Sequence, residues 1–122
     1  MAFAKRFEDL ECWKEGAQLT CEVFRLADEG ELSRHFVLRD QMCGAALSIP
    51  SNIAEGFERD SKKYFANALR IAKGSSGELR TQLYVAAKLD YIDRKVAMKL
   101  VGKASRLAGM LSRFARRLSP ED

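Results

Sequence analysis

The sequence holds 122 residues, 47% of them apolar and 31% charged, with a net charge of +4. That length fits one domain with a core of its own, and that balance excludes a disordered chain. Met1-Ala2-Phe3-Ala4-Lys5-Arg6 lacks the apolar stretch of a signal peptide, and nowhere do about eighteen apolar residues run together, which predicts a cytoplasmic chain that does not enter a membrane.

Strand-like alternation is absent and only Pro50 and Pro120 interrupt the chain, so helical periodicity carries the reading, which is all-α with four helices. The first is predicted over about 9–29, with Leu10, Trp13, Ala17, Thr20, Phe24 and Ala27 inward, Leu19, Val23 and Leu26 widening that face, and Gly30 as its stop. A second is predicted over about 33–57, with Ser33 as N-cap and Leu38, Met42, Ala45, Ile49, Ile53 and Phe57 inward. The third, about 60–89, is capped by Asp60 or Ser61 and buries Phe65, Ala68, Ala72, Ser75, Leu79, Leu83 and Ala86. The fourth, about 93–118, opens at Asp93 and buries Val96, Leu100, Ala104, Leu107, Leu111, Phe114 and Leu118.

Two places oppose local propensity to period. Pro50 clashes with the carbonyl of Ala46 and offers no amide hydrogen, yet the apolar line continues across it, which predicts one kinked helix, with a break at Ser48 as the alternative. Gly74-Ser75-Ser76-Gly77 has loop composition, yet Ala68, Ala72, Ser75 and Leu79 stay in phase through it, which predicts one long helix. Cys12, Cys21 and Cys43 are odd in number and lack C-x-x-C spacing; they read as reduced residues on apolar helix faces, with Cys43 in the core.

Asp9-Leu10-Glu11-Cys12-Trp13-Lys14, Gln41, the run Leu47-Ser48-Ile49-Pro50-Ser51-Asn52-Ile53-Ala54-Glu55-Gly56, and Ile71-Ala72-Lys73-Gly74-Ser75 with Glu78-Leu79 together resemble the proteins encoded in intervening sequences of bacterial 23S rRNA genes. The likeness runs from about 7 to 118. It implies an up-and-down four-helix bundle assembled into a homo-oligomeric ring, of five protomers in characterised members. More distantly the chain is similar to the accessory proteins of diversity-generating retroelements, which implies a basic ring that binds a reverse transcriptase and nucleic acid.

Helical spacing sets Gln41, Ser48, Asn52 and Glu55 on one stripe of the second helix, and Glu78 and Gln82 form a similar pair on the third. They read as a hydrogen-bonded network that fixes register or a subunit contact, with Ser48 or Asn52 satisfying backbone groups freed by Pro50; a pocket built on Glu55 and Glu78 is the alternative. His35 is the only histidine and is expected on the surface, Glu-x-x-His pairs are absent, and Gly74-Ser75-Ser76-Gly77 lacks phosphate-loop spacing. No enzyme, cofactor or metal is expected. Trp13, Phe24, Phe57, Phe65 and Phe114 read as core filling.

Charge is polarised. From 8 to 31 eight acids face Lys14 and Arg25, whereas from 93 to 118 eight bases face Asp93 alone. Lys95, Lys99, Lys103, Arg106, Arg113 and Arg117 share about 80° of the fourth helix at 100° per residue. That stripe is either a phosphate-binding edge for RNA or DNA, or a face paired with Glu8, Glu15, Glu22 and Glu29, which recur every seven residues on the first helix. Two functional readings follow. One is a homo-oligomeric scaffold or interaction module, and the other is a nucleic-acid-binding accessory protein.

Overall fold

Four amphipathic segments form four helices in the computed structural model, which describes residues 4–120: α1 Glu11–Ala27, α2 Phe36–Glu58, α3 Lys62–Lys88 and α4 Arg94–Leu118. Each packs on its neighbour in sequence, and α1 closes on α4. Pairs across the helices run in opposite order, with Ser76 opposite Ala104 and Arg70 opposite Ser119, so consecutive helices are antiparallel. The described residues contain helices and no strand.

The starts of α3 and α4 follow from local chemistry. Ser61 Oγ accepts from the Tyr64 amide, and Asp93 Oδ1 accepts from the amides of Lys95 and Val96. Asp60 instead sits in the left-handed region at φ 54°, ending the α2–α3 turn. The expected cap at Ser33 is overturned. Ser33 lies in a 3-10 turn, Glu31–Arg34, where its Oγ donates to Gly30 O, so α2 starts later with His35 at its N-cap.

The apolar lines of α2 and α3 are buried as their spacing predicts, apart from the half-buried Leu38, and α3 runs unbroken through Gly74-Ser75-Ser76-Gly77. Ser75 and Ser76 keep it helical: Ser75 Oγ donates to Ile71 O, and Ser76 Oγ crosses to Ala104 O at 2.8 Å. Small residues at this crossing bring α3 and α4 close enough for that bond.

α2 also runs unbroken through Pro50. The break expected at Ser48 as an alternative does not occur, and the reason lies on α1. Pro50 leaves the Ala46 carbonyl without its helical donor; Thr20 Oγ1 supplies one at 2.9 Å, sharing its proton with Gly16 O at 2.8 Å. Ser48 and Asn52 do not fill that role, because Ser48 Oγ donates to Ala45 O and Asn52 Nδ2 to Ser48 O. One turn before Thr20, Gly16 lies flat against Ile49 and Pro50, and a Cβ there would stand 3.3 Å from Ile49 Cγ2.

This contact turns α1 away from the face its pattern predicts. Cys12, Gly16, Leu19, Thr20, Val23 and Ala27 are buried, while Trp13 and Ala17 are only half-buried and Phe24 is 42% exposed. Phe24 is therefore not core filling. Val96 is also exposed, because α1 ends at Ala27 and leaves the first turn of α4 uncovered on that side. Cys12 is buried and Cys43, though only half-buried, packs against the core, whereas Cys21 is exposed and departs from the expectation of an apolar site.

Thr20→Val should cost about 1–3 kcal/mol in urea denaturation, because it strips the last donor from a buried carbonyl. In a Pro50→Ala background the restored amide takes that carbonyl, and the same substitution should cost clearly less. Equal costs in both backgrounds would show that the hydroxyl does not act through Ala46.

Candidate functional site

The polar stripe lies along the outer edge of the α2–α3 pair. Ser48 and Asn52 are joined within α2 as described above, and Glu55 Oε2 accepts from Arg59 Nε at 3.0 Å and from Tyr64 Oη at 3.1 Å, tying the end of α2 to the start of α3. Gln41 and Glu78 are exposed, and Gln82 is half-buried, with its Oε1 enclosed and without a donor among the described residues. Tyr64, which holds Glu55, and Glu78 are about 21 Å apart along α3 at 1.5 Å per residue. Glu55 and Glu78 thus stand at different levels and do not frame one carboxylate pocket.

At the other end of the same edge lies a shallow groove of about 530 Å³ that sequence spacing did not reveal. Phe36 and Val37 from α2 are 62% and 78% exposed, and Val85 and Leu89 from α3 are 39% and 51% exposed beside them. His35 closes the groove. Its ring stacks on Tyr91 with centroids 3.7 Å apart, and Nε2 meets Glu31 Oε1 at 3.1 Å, so the histidine is half-buried and not a plain surface residue. The signal available was negative: Val37, Val85 and Leu89 are apolar residues left outside every inward-facing line.

Between α1 and α4 runs a charged seam. Lys103 Nζ donates to Glu22 Oε2 at 2.7 Å and Arg106 to Glu15 Oε2 at 3.2 Å, around a cavity of about 260 Å³ floored by Leu19 and Leu107. The structure thereby sets two members of the basic stripe against two members of the acidic heptad. Lys95, Lys99, Arg113 and Arg117 are exposed on the same side of α4, and the Arg117 guanidinium lies over the Phe114 ring at 5.6 Å. Glu22 Oε1 is enclosed without a donor among the described residues.

Cys12 sits at the lower end of this seam. Burial pushes its thiol up to about 11, with Glu15 and Glu11 adding in the same direction against two backbone hydrogen bonds. A thiol so held is neutral near pH 8 and a poor nucleophile. Burial also raises Cys43. Among the described residues no cluster of three His, Cys, Asp or Glu side chains could hold a metal ion, and no helix is long and apolar enough to cross a membrane.

Residues 8–113 match the family model described as 23S rRNA-intervening sequence protein. The chain belongs to that family. A crystal structure from Bacteroides thetaiotaomicron, titled a protein with unknown function from the S23 ribosomal protein family, superposes with a TM-score of 0.78 at 18% identity, covering 86% of this chain and 98% of its own. At that identity the likeness shows a shared fold. No curated protein matches the chain.

Alkylation of the folded protein near pH 8 should modify Cys21 first and leave Cys12 untouched, read by mass spectrometry of peptides. Urea should abolish the difference. Modification of Cys12 at the Cys21 rate in the folded protein would mean that α1 opens at this end.

Proposed function

We propose that this member of the 23S rRNA-intervening sequence protein family is a non-enzymatic scaffold that assembles with copies of itself through the outer edge of α2 and α3. The observation that carries the reading is the exposed apolar cluster of Phe36, Val37, Val85 and Leu89, continued by Ile71, itself 50% exposed, farther along α3. Contiguous apolar surface of this kind marks contact sites. Between its ends lie Gln41, Ser48 and Gln82, and a donor from a second copy would relieve the enclosed Gln82 Oε1, whose isolation otherwise costs desolvation.

One edge meeting a different surface on the next copy makes a head-to-tail contact, and a rotation that closes gives a ring. Five protomers is the ring size that the family resemblance implies, and it is the size adopted in this proposal. A reducing, cytoplasmic setting suits three free thiols. The polar stripe then fixes the stagger between copies, since unpaired amides reject a shifted register.

Light scattering at micromolar concentration should give about five times the protomer mass of 13.7 kDa. Val37→Asp with Val85→Asp should reduce that to the protomer with the helical circular dichroism kept, because both side chains face outward. A monomeric wild type, or a double variant of unchanged mass, refutes the proposed interface.

A further inference from the structure

A second apolar edge runs between α1 and α2, on the other flank of α2 from Val37. Ala17, Thr20 and Phe24 follow one another at helical spacing on α1, and Cys43, Leu47 and Pro50 do so on α2, so the two stripes flank the Thr20–Ala46 bond. These positions carry no charge. Thr20 and Pro50 are buried, Ala17 and Cys43 half-buried, and above them Phe24 and Leu47 stand 42% and 49% exposed. Nothing in the bundle covers these two large side chains, which project from it as a pair of knobs.

The α2–α3 edge has the opposite relief. Gly44 lies seven residues after Val37 and Gly74 eleven before Val85, so both fall on that edge; both are exposed, and a Cβ on either would meet nothing within 4 Å. Gly16 and Gly56 differ, since a Cβ there would press on Ile49 and strike Ala68. Those two glycines let helices of one chain approach. Gly44 and Gly74 weaken their helices relative to alanine and serve no such contact within the chain, so what they leave is an open notch. Knobs and notch also share one height. Counting from the Thr20–Ala46 bond puts Phe24 level with Met42, and counting from the Gly56–Ala68 contact puts Gly74 level with Pro50. Phe24, Gly44, Leu47 and Gly74 thus lie within about 12 Å along the bundle at 1.5 Å per residue.

We propose that the α1–α2 edge of each copy is the counter-surface of the assembly, with its Phe24 and Leu47 seated in the Gly44–Gly74 notch on the α2–α3 edge of the next copy. This rests on the self-assembly proposed above and supplies the unlike face that a head-to-tail contact requires. Copies related by rotation sit at equal heights, so matched height on one chain brings knob and notch together between chains. The two edges are adjacent sides of the bundle, about 90° apart. A closed ring needs about that angle between the two contacts of each copy, roughly 90° for four copies and 108° for five. α2 belongs to both edges and therefore stands at the inner corner, facing the ring axis. α4, which packs on α1 and α3, stands diagonally opposite at the rim. A second copy is the fitting occupant because both halves of the fit are present in one chain.

The test mixes full chains with one edge spoiled in each. Phe24→Asp with Leu47→Asp should give the protomer mass in light scattering at micromolar concentration, with helical circular dichroism kept. That variant retains an intact α2–α3 edge, and Val37→Asp with Val85→Asp retains an intact α1–α2 edge. An equimolar mixture of the two should therefore form a complex of two protomers and nothing larger. Gly44→Gln with Gly74→Gln fills the notch and should also give the protomer, melting no lower than the Val37–Val85 variant, because the added side chains enter open space. If the aspartates at Phe24 and Leu47 unfold the chain, this glycine pair decides the matter. Unchanged mass in the Phe24–Leu47 variant, beside dissociation of the Val37–Val85 variant, keeps the α2–α3 interface and overturns the counter-surface, leaving the α1–α2 edge to a different protein. Unchanged mass in the Val37–Val85 variant refutes the α2–α3 interface itself, and this seat with it. A dimer of the Phe24–Leu47 variant alone would mean that two α2–α3 edges meet each other. That result overturns the proposal, as does a mixture that stays at protomer mass or a notch-filled variant of wild-type mass.

Discussion

One missing hydrogen bond organises much of this molecule. Pro50 removes the amide that should close on Ala46 O, and that buried carbonyl must find another donor or lose a large part of its solvation energy. Thr20 answers it from α1, and Gly16 one turn earlier lets α1 lie against the proline ring. Two contacts at adjacent turns fix both the closeness and the rotation of α1. Once α1 is so turned, Glu15 and Glu22 point at α4, where Arg106 and Lys103 meet them. Glu15 and Glu22 of the acidic heptad are thus spent within the chain. A single backbone defect in α2 is connected in this way to the charged seam between α1 and α4.

The parts legible from sequence were those decided by local rules or by long uninterrupted period. The faces of α2 and α3, the caps at Ser61 and Asp93, and the unbroken helix through Gly74 and Gly77 belong here, because each is reinforced at several neighbouring positions. The face of α1 was less legible. Trp13, Ala17 and Phe24 fit a helical stripe as well as Cys12, Gly16 and Val23 do, and only a tertiary contact on α2 chooses between them. Ser33 failed as a cap for a similar reason: serine beside a helix start suits a 3-10 turn as readily, and Gly30 at φ 54° leads the chain into that turn. Of the candidate site residues, the acidic and basic repeats showed their pairing at Glu15 and Glu22 in advance. Thr20 did not show its role, since a polar residue in an apolar line identifies a hydrogen bond without naming its partner.

α3 carries two unlike flanks. Its α2 flank carries Ile71, Glu78, Gln82, Val85 and Leu89, and its α4 flank carries Lys62, Arg70, Lys73 and Arg80. Apolar and uncharged residues dominate the first, and cations the second. A contact between copies on the α2 flank leaves the cations of the α4 flank outside that contact.

Packing two helices with fourteen bases and almost no acids into one hairpin is costly by itself, since like charges repel across a short gap. The hairpin offsets that cost with close contact. Ala97, Ala104, Ala108 and Ala115 are all buried along α4, and Ser76 adds its bond to Ala104 O. Small side chains of this kind are needed for tight approach, yet tight approach also brings the cations nearer together. A bundle selected for stability alone would place Glu or Asp among them at helical spacings of three and four, as α1 does with its own partners on α4. The close helix contact, sealed by the Ser76 bond, therefore holds together a hairpin whose own charges oppose it.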